Sequence, residues 1–517
     1  MMNEKPKIGA YVLETLTTGM YLNPYDSIRE YIQNSTDSIL QAIKEEIIEE
    51  NQGIIEIIVD KKLRRLTIKD NGVGISPDNI NDTLINIGMS KKEFSTDAGF
   101  RGIGRLAGIA YCNTVEYHTS AIGSSVSSTI SIDCRMIKDA IRPSMRQTNE
   151  LISVLSEATK VSQKQLSSDQ HFFIVELQDV IHDELLDWES LEEYLQQIAP
   201  VQFDFHSFLH APKISKWIEV NKLQNPEVVI KLSDVNSQSE REIFKPYKNN
   251  YVTKRQRQQN YRFRIEDVCF YPEIIEHETP FWLWYGKSEL LGQISNDKCA
   301  GFRLRMKNIG IGDKTSTDEL FRNGQDSRFN SYFIGEIHIL SDKIIPNARR
   351  DGFEDTKEWQ DIKKIISEFM DDRGREIREL SKRRNTPFGK AISITENIIE
   401  KGIEKQENGF ISNEDKTIFK SEIQDNILLL EEISGNLNDD EPRKTIVGEK
   451  IAKLEELSEK IVDAPFLTQK ISTSLSKAQK KIINEILVEI KNVLDEDDFE
   501  KAKQAIIKKY GGIKKWD

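Results

Sequence analysis

Apolar residues recur with two different periods along the chain, and the changes of period mark its parts. Between Ile28 and Ile39 they fall three and four apart. Read as a helix at about 100° per residue, Ile28, Ile32, Ser35 and Ile39 lie on one side. Glu30, Asn34 and Asp37 then project from the other within an arc of roughly 60°. Pro24 lies just before this helix and sets up its start, and the pattern runs on through LQAIKEEIIEE to stop near Asn51-Gln52-Gly53. Residues 8–22, ahead of it, read as a short strand or strap. The period then drops to two. IIEIIVD and LRRLTIKD alternate, are rich in β-branched residues and flank Asp60-Lys61-Lys62, which predicts a hairpin. Its second strand runs straight into Asp70-Asn71-Gly72-Val73-Gly74-Ile75.

Further along, residues 191–201 form a helix pattern ended by Pro200, a domain border. Strand-like runs follow: EVVIKLSDV, NYRFRIEDVCFY, PFWLWYGKSELLGQI, GFRLRMKNIGIG and YFIGEIHIL. Turn-rich or helical segments separate them, so an α/β sandwich is expected. From about residue 376 strand signals vanish. Val447, Ile451, Leu454 and Ile461, then Ile483, Leu487, Ile490 and Leu494, have the spacing of amphipathic helices with coiled-coil-like faces. The expected architecture is α+β in three parts: 1–190, 191–375, and a helical bundle or dimerisation region over 376–517.

Composition narrows the classes. A chain of 517 residues exceeds a single core. Net charge is −13, from 85 acidic against 72 basic side chains, which does not support bulk attraction to nucleic acid. Four scattered cysteines with no CxxC pair argue against a zinc site or a disulfide framework and fit a reducing cytoplasm. The opening MMNEKPKIGA has no apolar signal core, and no apolar run approaches the roughly 18 residues of a membrane span.

Three stretches carry candidate chemistry. Glu30, Asn34 and Asp37 have no basic partner one turn away on the helix, and a Glu, an Asn and an Asp together offer oxygens for Mg²⁺ and a proton acceptor for water. At the strand exit, Gly72 and Gly74 allow left-handed backbone and close approach of a ligand, while Asp70 can accept from an exocyclic amine; a plain tight turn is the alternative. Gly99-Phe100-Arg101-Gly102-Ile103-Gly104-Arg105-Leu106-Ala107-Gly108 enters an apolar, helix-like stretch whose backbone N–H groups suit phosphate. It is neither a dinucleotide fingerprint nor a P-loop, because no strand precedes it and no GK[ST] ends it.

In this order, Glu-x-x-x-Asn-x-x-Asp, Asp-x-Gly-x-Gly and Gly-x-x-Gly-x-Gly resemble the motifs of the GHKL ATP-binding superfamily. That superfamily includes gyrase B, the ninety-kilodalton heat-shock chaperones, histidine kinases, MutL and the MORC ATPases. The resemblance implies a Bergerat fold, a sheet covered on one face by helices, with ATP between helix, sheet and lid. It implies Mg²⁺ on Asn34, Glu30 as general base for water, Asp70 as reader of the adenine amine with room left by Gly74, and Asp37 supporting the pocket. Gly99, Gly102 and Gly104 would wrap the phosphates beneath a lid over about 80–101. There Lys91, near Ser90 and Lys92, either reaches a phosphate or is simply solvated. A kinase is disfavoured, since no histidine precedes Glu30. One departure stands out: the strand QHFFIVEL lacks the threonine that usually supports the adenine-reading aspartate, so another hydroxyl or a water would do so.

The run YFIGEIHIL followed by SDKIIPNARRD resembles the catalytic loop (here 341–351) in the middle domain of those chaperones. It implies that Arg350, with Arg349 as neighbouring candidate, reaches the γ-phosphate; the alternative is a surface pair with Asp342 or Asp351. The reading is an Mg-ATP-hydrolysing, chaperone-like homodimeric switch with a protein client. A MORC- or MutL-like DNA clamp, in genome or phage defence, is the second choice, supported only by the basic stretch TKRQRQQNYRFR at 253–264. An ATP-sensing interaction protein with little hydrolysis is the third.

Overall fold

The computed structural model describes residues 9–10, 12–17, 19–21, 23–87, 104–142, 150–254, 260–384, 387–435, 437, 442–462 and 464. The chain forms two compact units, residues 1–378 and 379–517.

The first unit opens with helix α1 (Val12–Leu16), where a strand or strap was expected. Its Leu13 is fully buried, and the Thr17 hydroxyl bonds the Leu13 carbonyl at 2.6 Å. Helix α2 (Pro24–Lys44) begins at Asn23, whose side chain accepts from the backbone N–H of Tyr25. It stops some residues short of the expected Asn51. Glu46 takes a left-handed φ of 56°, and the N–H of Ile47 returns to the carbonyl of Ala42 at 2.9 Å, so the chain turns off in a Schellman-type cap. Ile28, Ile32 and Ile39 are fully buried, as their spacing requires.

Beneath α2 lies an eight-stranded mixed sheet. Its strands are β1 (Ile54–Asp60), β2 (Arg65–Asp70), β3 (Thr114–Ser120), β4 (Val126–Asp133), β5 (Thr159–Gln165), β6 (Phe172–Gln178), β7 (Val229–Asp234) and β8 (Ser239–Glu242). They run in the order β5-β4-β3-β6-β2-β1-β7-β8. β1 and β2 form the expected hairpin, with Asp60 opposite Arg65. Ile55, Ile57, Val59, Leu66 and Ile68 alternate onto the face that α2 covers. Helices α3 (Cys134–Ala140) and α4 (Leu151–Ala158) contribute Ile137 and Val154 to the same core. The segment EVVIKLSDV, expected beyond the border at 190, joins this sheet as β7, parallel to β1. Ile230 and Leu232 extend the buried face there.

Helix α5 (Trp188–Ile198) then leads to α6 (Ala211–Val220) and a two-stranded ribbon, β9 (Asn250–Val252) with β10 (Arg262–Arg264). A second sheet follows: β11 (Asp267–Tyr271), β12 (Phe281–Lys287), β13 (Gly301–Met306), β14 (Ile309–Ile311) and β15 (Ile334–Ile339), ordered β11-β12-β15-β13-β14. β13 and β15 are buried along their whole length, so their runs show no alternation. Phe203, Phe208, Trp282 and Trp284 pack on one side of this sheet. The short helix α7 (Lys314–Asp318) precedes β15, and α8 (Lys357–Arg384) follows it.

The second unit is described as three helices, α9 (Pro387–Asn408), α10 (Asn413–Gly435) and α11 (Pro442–Val462). Val447, Leu454 and Ile461, seven apart, are fully buried with Ile398, Phe419, Ile423 and Leu430. The coiled-coil-like face of α11 is thus used within its own unit, with Ile451 at its edge. Ile483, Leu487, Ile490 and Leu494 lie outside the described residues.

Candidate functional site

The polar face of α2 supplies the first half of the site. Glu30 and Asp37 are buried on it, and Asn34 is half-buried between them. The basic partner missing from the helix comes from 320 residues away: Arg350 Nε donates to Glu30 Oε1 at 2.9 Å, with both side chains buried. Arg350 sits in the turn after β15 at a left-handed φ of 55°. A non-glycine residue there carries roughly 1–3 kcal/mol of strain, and several bonds hold it. Its N–H donates to Asn347 O at 3.1 Å and its carbonyl accepts from Gly312 N at 2.8 Å. The Asp351 carboxylate accepts from Asn347 Nδ2 at 2.6 Å, rather than drawing Arg350 to the surface.

Arg29, next to Glu30, carried no expectation from the sequence. It holds the same loop by its backbone, Nη2 donating to Arg349 O at 2.7 Å and Nη1 to Arg350 O at 3.3 Å. Asp26, one turn back, accepts from Nη2 at 2.9 Å and orients the guanidinium. Burial raises the Asp26 carboxyl, with Arg29 opposing it. Burial likewise pushes the Tyr21 hydroxyl up, and Glu30 beside it adds to that, against Arg350 and Arg29. A buried cluster of two carboxylates, two guanidiniums and a phenol therefore joins α2 to the loop.

Asp70 ends β2, and its carboxylate is fixed at both oxygens. Gly72 N donates to Oδ1 at 3.0 Å and Ser35 Oγ to Oδ2 at 2.7 Å. The hydroxyl missing from the late strand thus comes from α2, from a residue whose spacing placed it with the apolar stripe. β6 takes in the FFIVEL of QHFFIVEL and pairs with β2, Asp70 opposite Phe173. Thr119 on β3 plays a neighbouring part: its hydroxyl accepts from Ile75 N at 2.8 Å and donates to Phe172 O at 3.0 Å, pinning the glycine turn.

Of the two glycines at the strand exit, Gly74 takes the left-handed backbone expected of both, and each is also required by close packing. A Cβ on Gly72 would stand 2.2 Å from Ser38 Oγ, so the strand exit presses on α2. Gly74 has φ 64°, and a Cβ would lie 1.9 Å from the Ser120 carbonyl oxygen. Close backbone packing alone demands glycine there, whatever room a base needs. Gly104 opens a 3-10 helix over Gly104–Ala110. A Cβ on it would stand 2.1 Å from Glu30 Oε2, so this glycine borders the carboxylate itself. Tyr31 and Tyr117 both donate to the carbonyl of Arg105, at 3.2 and 2.6 Å, anchoring that helix over the sheet. Lys91, Gly99 and Gly102, with most of the expected lid, lie outside the described residues.

A carboxylate and an amide on a buried helix, an anchored aspartate at a strand end and a glycine entry beside the carboxylate lie together on an α+β sheet, the arrangement expected of a Bergerat-type nucleotide site. Residues 23–167 match the family described as histidine kinase-, DNA gyrase B-, and HSP90-like ATPase. Residues 23–167 are thus similar to the ATP-binding domain of that GHKL superfamily. Among curated proteins the chain is similar to Chaperone protein HtpG of Mycolicibacterium gilvum (strain PYR-GCK), with 26% identity over 218 residues, 37% of this chain and 32% of that protein. The chain thus spans about a third of the length of that relative. Among the described residues no helix is long and apolar enough to cross a membrane.

The donor set fits Mg²⁺ with ATP. Asn34 supplies one neutral oxygen next to the buried Glu30, and Mg²⁺ takes one or two protein oxygens and completes its shell with phosphate and water.

Proposed function

We propose that the chain is an Mg-ATP-dependent ATPase acting as a chaperone-like, homodimeric conformational switch. The observation that carries this reading is the buried contact between Glu30 and Arg350, which sets a carboxylate and a guanidinium together beside Gly104. Asp70, held by Ser35 and Gly72, takes the adenine amine. Asn34 would hold Mg²⁺, which when bound would neutralise phosphate charge. Glu30 accepts a proton from the attacking water as the bond to the γ-phosphorus forms and ADP leaves. Arg350, held beside Glu30, would balance the negative charge of the γ-phosphate. Lys91, Gly99 and Gly102 are proposed to close over the phosphates, with Gly104 lining their entry. Residues 1–190 and 191–375 would act as nucleotide and transducer parts, and 376–517 as the dimerisation and client region.

Single-turnover hydrolysis tests this directly. Glu30→Ala should bind ATP and lose turnover, and Arg350→Ala should slow turnover with binding retained. Asp70→Asn should lose binding. Normal turnover in Glu30→Ala would remove the base assignment and favour an ATP-sensing protein.

A second reading, an ATP-gated DNA clamp, draws on β10, where Arg262 and Arg264 are both exposed around a buried Phe263. DNA binding that falls steeply with salt and requires a non-hydrolysable ATP analogue would favour it over the chaperone-like reading.

A further inference from the structure

The second sheet buries charge at its centre, away from the nucleotide site. The side chains of Lys245, Arg305 on β13 and Glu336 on β15 have no solvent exposure. Glu336 Oε1 accepts from Lys245 Nζ at 2.9 Å, from Arg305 Nε, and from Tyr247 Oη at 3.3 Å. Oε2 accepts from Lys245 Nζ at 2.8 Å and Trp284 Nε1 at 3.3 Å, and lies 3.1 Å from His338 Nε2. Such a group is a poor source of stability, because desolvating each ion costs several kcal/mol and packed apolar residues of like volume often do as well. What a saturated carboxylate with a guanidinium fork does supply is fixed direction.

The fork points at the seam between the two sheets. Arg305 Nη2 donates to Gln197 O at 2.9 Å, and Nη1 donates to Ala199 O at 3.3 Å and to Asn308 O at 2.8 Å. Gln197 and Ala199 are the end of α5. Asn308 Nδ2 in turn donates to Pro226 O at 2.9 Å, where the chain returns to the first sheet. β14 lies along the same helix end: a Cβ on Gly310 would stand 3.0 Å from Ile198 Cα. Two residues on, Gly312 N donates to the Arg350 carbonyl, and Ser316 Oγ donates to the Asp351 carbonyl at 3.0 Å. A strand of three residues therefore has the charged joint at one end and Arg350 at the other. α5 is tied back to α2 by the stacked rings of Tyr25 and Tyr194, 4.9 Å apart. The contacts close a ring: α2, the Arg350 loop, β14, α5, and α2 again.

We propose that Arg305, held by Glu336 whose carboxylate Lys245 also fixes, is a positioning residue that sets where Arg350 meets Glu30. Its catalytic consequence rests on the ATPase reading above. Arg305→Lys keeps a cation for Glu336 but has no fork to span three carbonyls. In the full chain this variant should slow single-turnover hydrolysis about tenfold or more, as displaced catalytic groups do. Nucleotide affinity should stay within about twofold of wild type. In an Arg350→Ala background the same change should add nothing, since both act through one contact. An equal loss in that background would overturn the proposal. Hydrogen exchange of residues 341–353 without nucleotide gives a readout independent of turnover. It should rise in Arg305→Lys, and unchanged exchange would overturn the proposal. If wild type hydrolyses no ATP, the ATPase reading falls while exchange still decides the positioning. Ser316→Ala, which removes an exposed bond at the other end of the path, serves if Arg305→Lys does not fold. It should raise exchange around residues 347–353 and slow turnover only where Arg350 is present; failure of both would overturn the proposal.

Discussion

Replacing Gly104 by alanine puts one methyl group against the carboxylate of Glu30. The Cβ would stand 2.1 Å from Glu30 Oε2, 3.1 Å from Cδ and 3.4 Å from Cβ of the same side chain. A carbon–oxygen contact needs roughly 3.3 Å, so the carboxylate must move by about 1 Å. The backbone at Gly104 is helical, and alanine there gains up to about 1 kcal/mol by restricting the unfolded chain. The obstructing atom is the tip of the Glu30 side chain, and shifting it disturbs a buried ion pair whose complete loss would cost about 3–5 kcal/mol. The bond from Arg350 Nε to Oε1 is what gives way. Stability should therefore fall by about 1–3 kcal/mol, the partial loss of that pair set against the backbone gain. Hydrolysis should fall on the order of a hundredfold, the usual consequence of displacing a catalytic group by about 1 Å. Urea denaturation and single-turnover hydrolysis with enzyme in excess measure the two effects separately. A stable Gly104→Ala protein with wild-type turnover would refute the placement of Glu30 as base in this geometry.

Three other perturbations follow from the same contacts. Ser35→Ala removes the hydroxyl on Asp70 Oδ2 and should weaken ATP binding by about 1–2 kcal/mol, measured by calorimetry; unchanged affinity would mean that Asp70 needs no such support. Gly74→Ala, at φ 64° and facing the Ser120 carbonyl, should destabilise the first unit by about 2 kcal/mol or more, and a wild-type urea midpoint would contradict the close packing of the turn. His338 is buried and its pKa is pushed down to about 4 from 6.5, chiefly by burial, with Lys245 and Arg305 adding to it against Glu336. The unfolded chain binds that proton first, so stability is full above pH 6.5 and is lost as pH falls toward 4, by about 3 kcal/mol in all. His338→Gln should flatten this part of the stability curve, and an unchanged slope between pH 6.5 and 4 would exclude His338 as its source.

Much of the site was readable where the chemistry lies within one element. Glu30, Asn34 and Asp37 share a helix face by spacing alone, and Asp70 ends a strand whose alternation is plain. Helix α2 and the β1–β2 hairpin follow from local periodicity, because each repeat distance needs only the neighbouring turns or pleats to express it. Reading failed where a partner lay far away in the chain. Ser35 counted as part of an apolar stripe until β2 brought Asp70 beside it, and Arg29 was an unremarked neighbour until the loop at 349–350 docked on it. β7 belonged by spacing to a later domain, and only pairing with β1 shows whose edge it completes.

Residue order alone carried the resemblance to the GHKL superfamily, the buried stripe of α2 and the choice of Glu30, Asn34 and Asp70 as candidates, since these depend on residue type and short spacing. The tertiary structure decided what surrounds them. It joined Glu30 to Arg350 across 320 residues, set Gly104 against the carboxylate and supplied Asp70 with its hydroxyl. It also drew Arg305 and Glu336 out of two hydrophobic-looking strands into a charged joint. Those relations rest on backbone and side-chain directions fixed only when both sheets, α2 and α5 pack together, and no period along the chain encodes them.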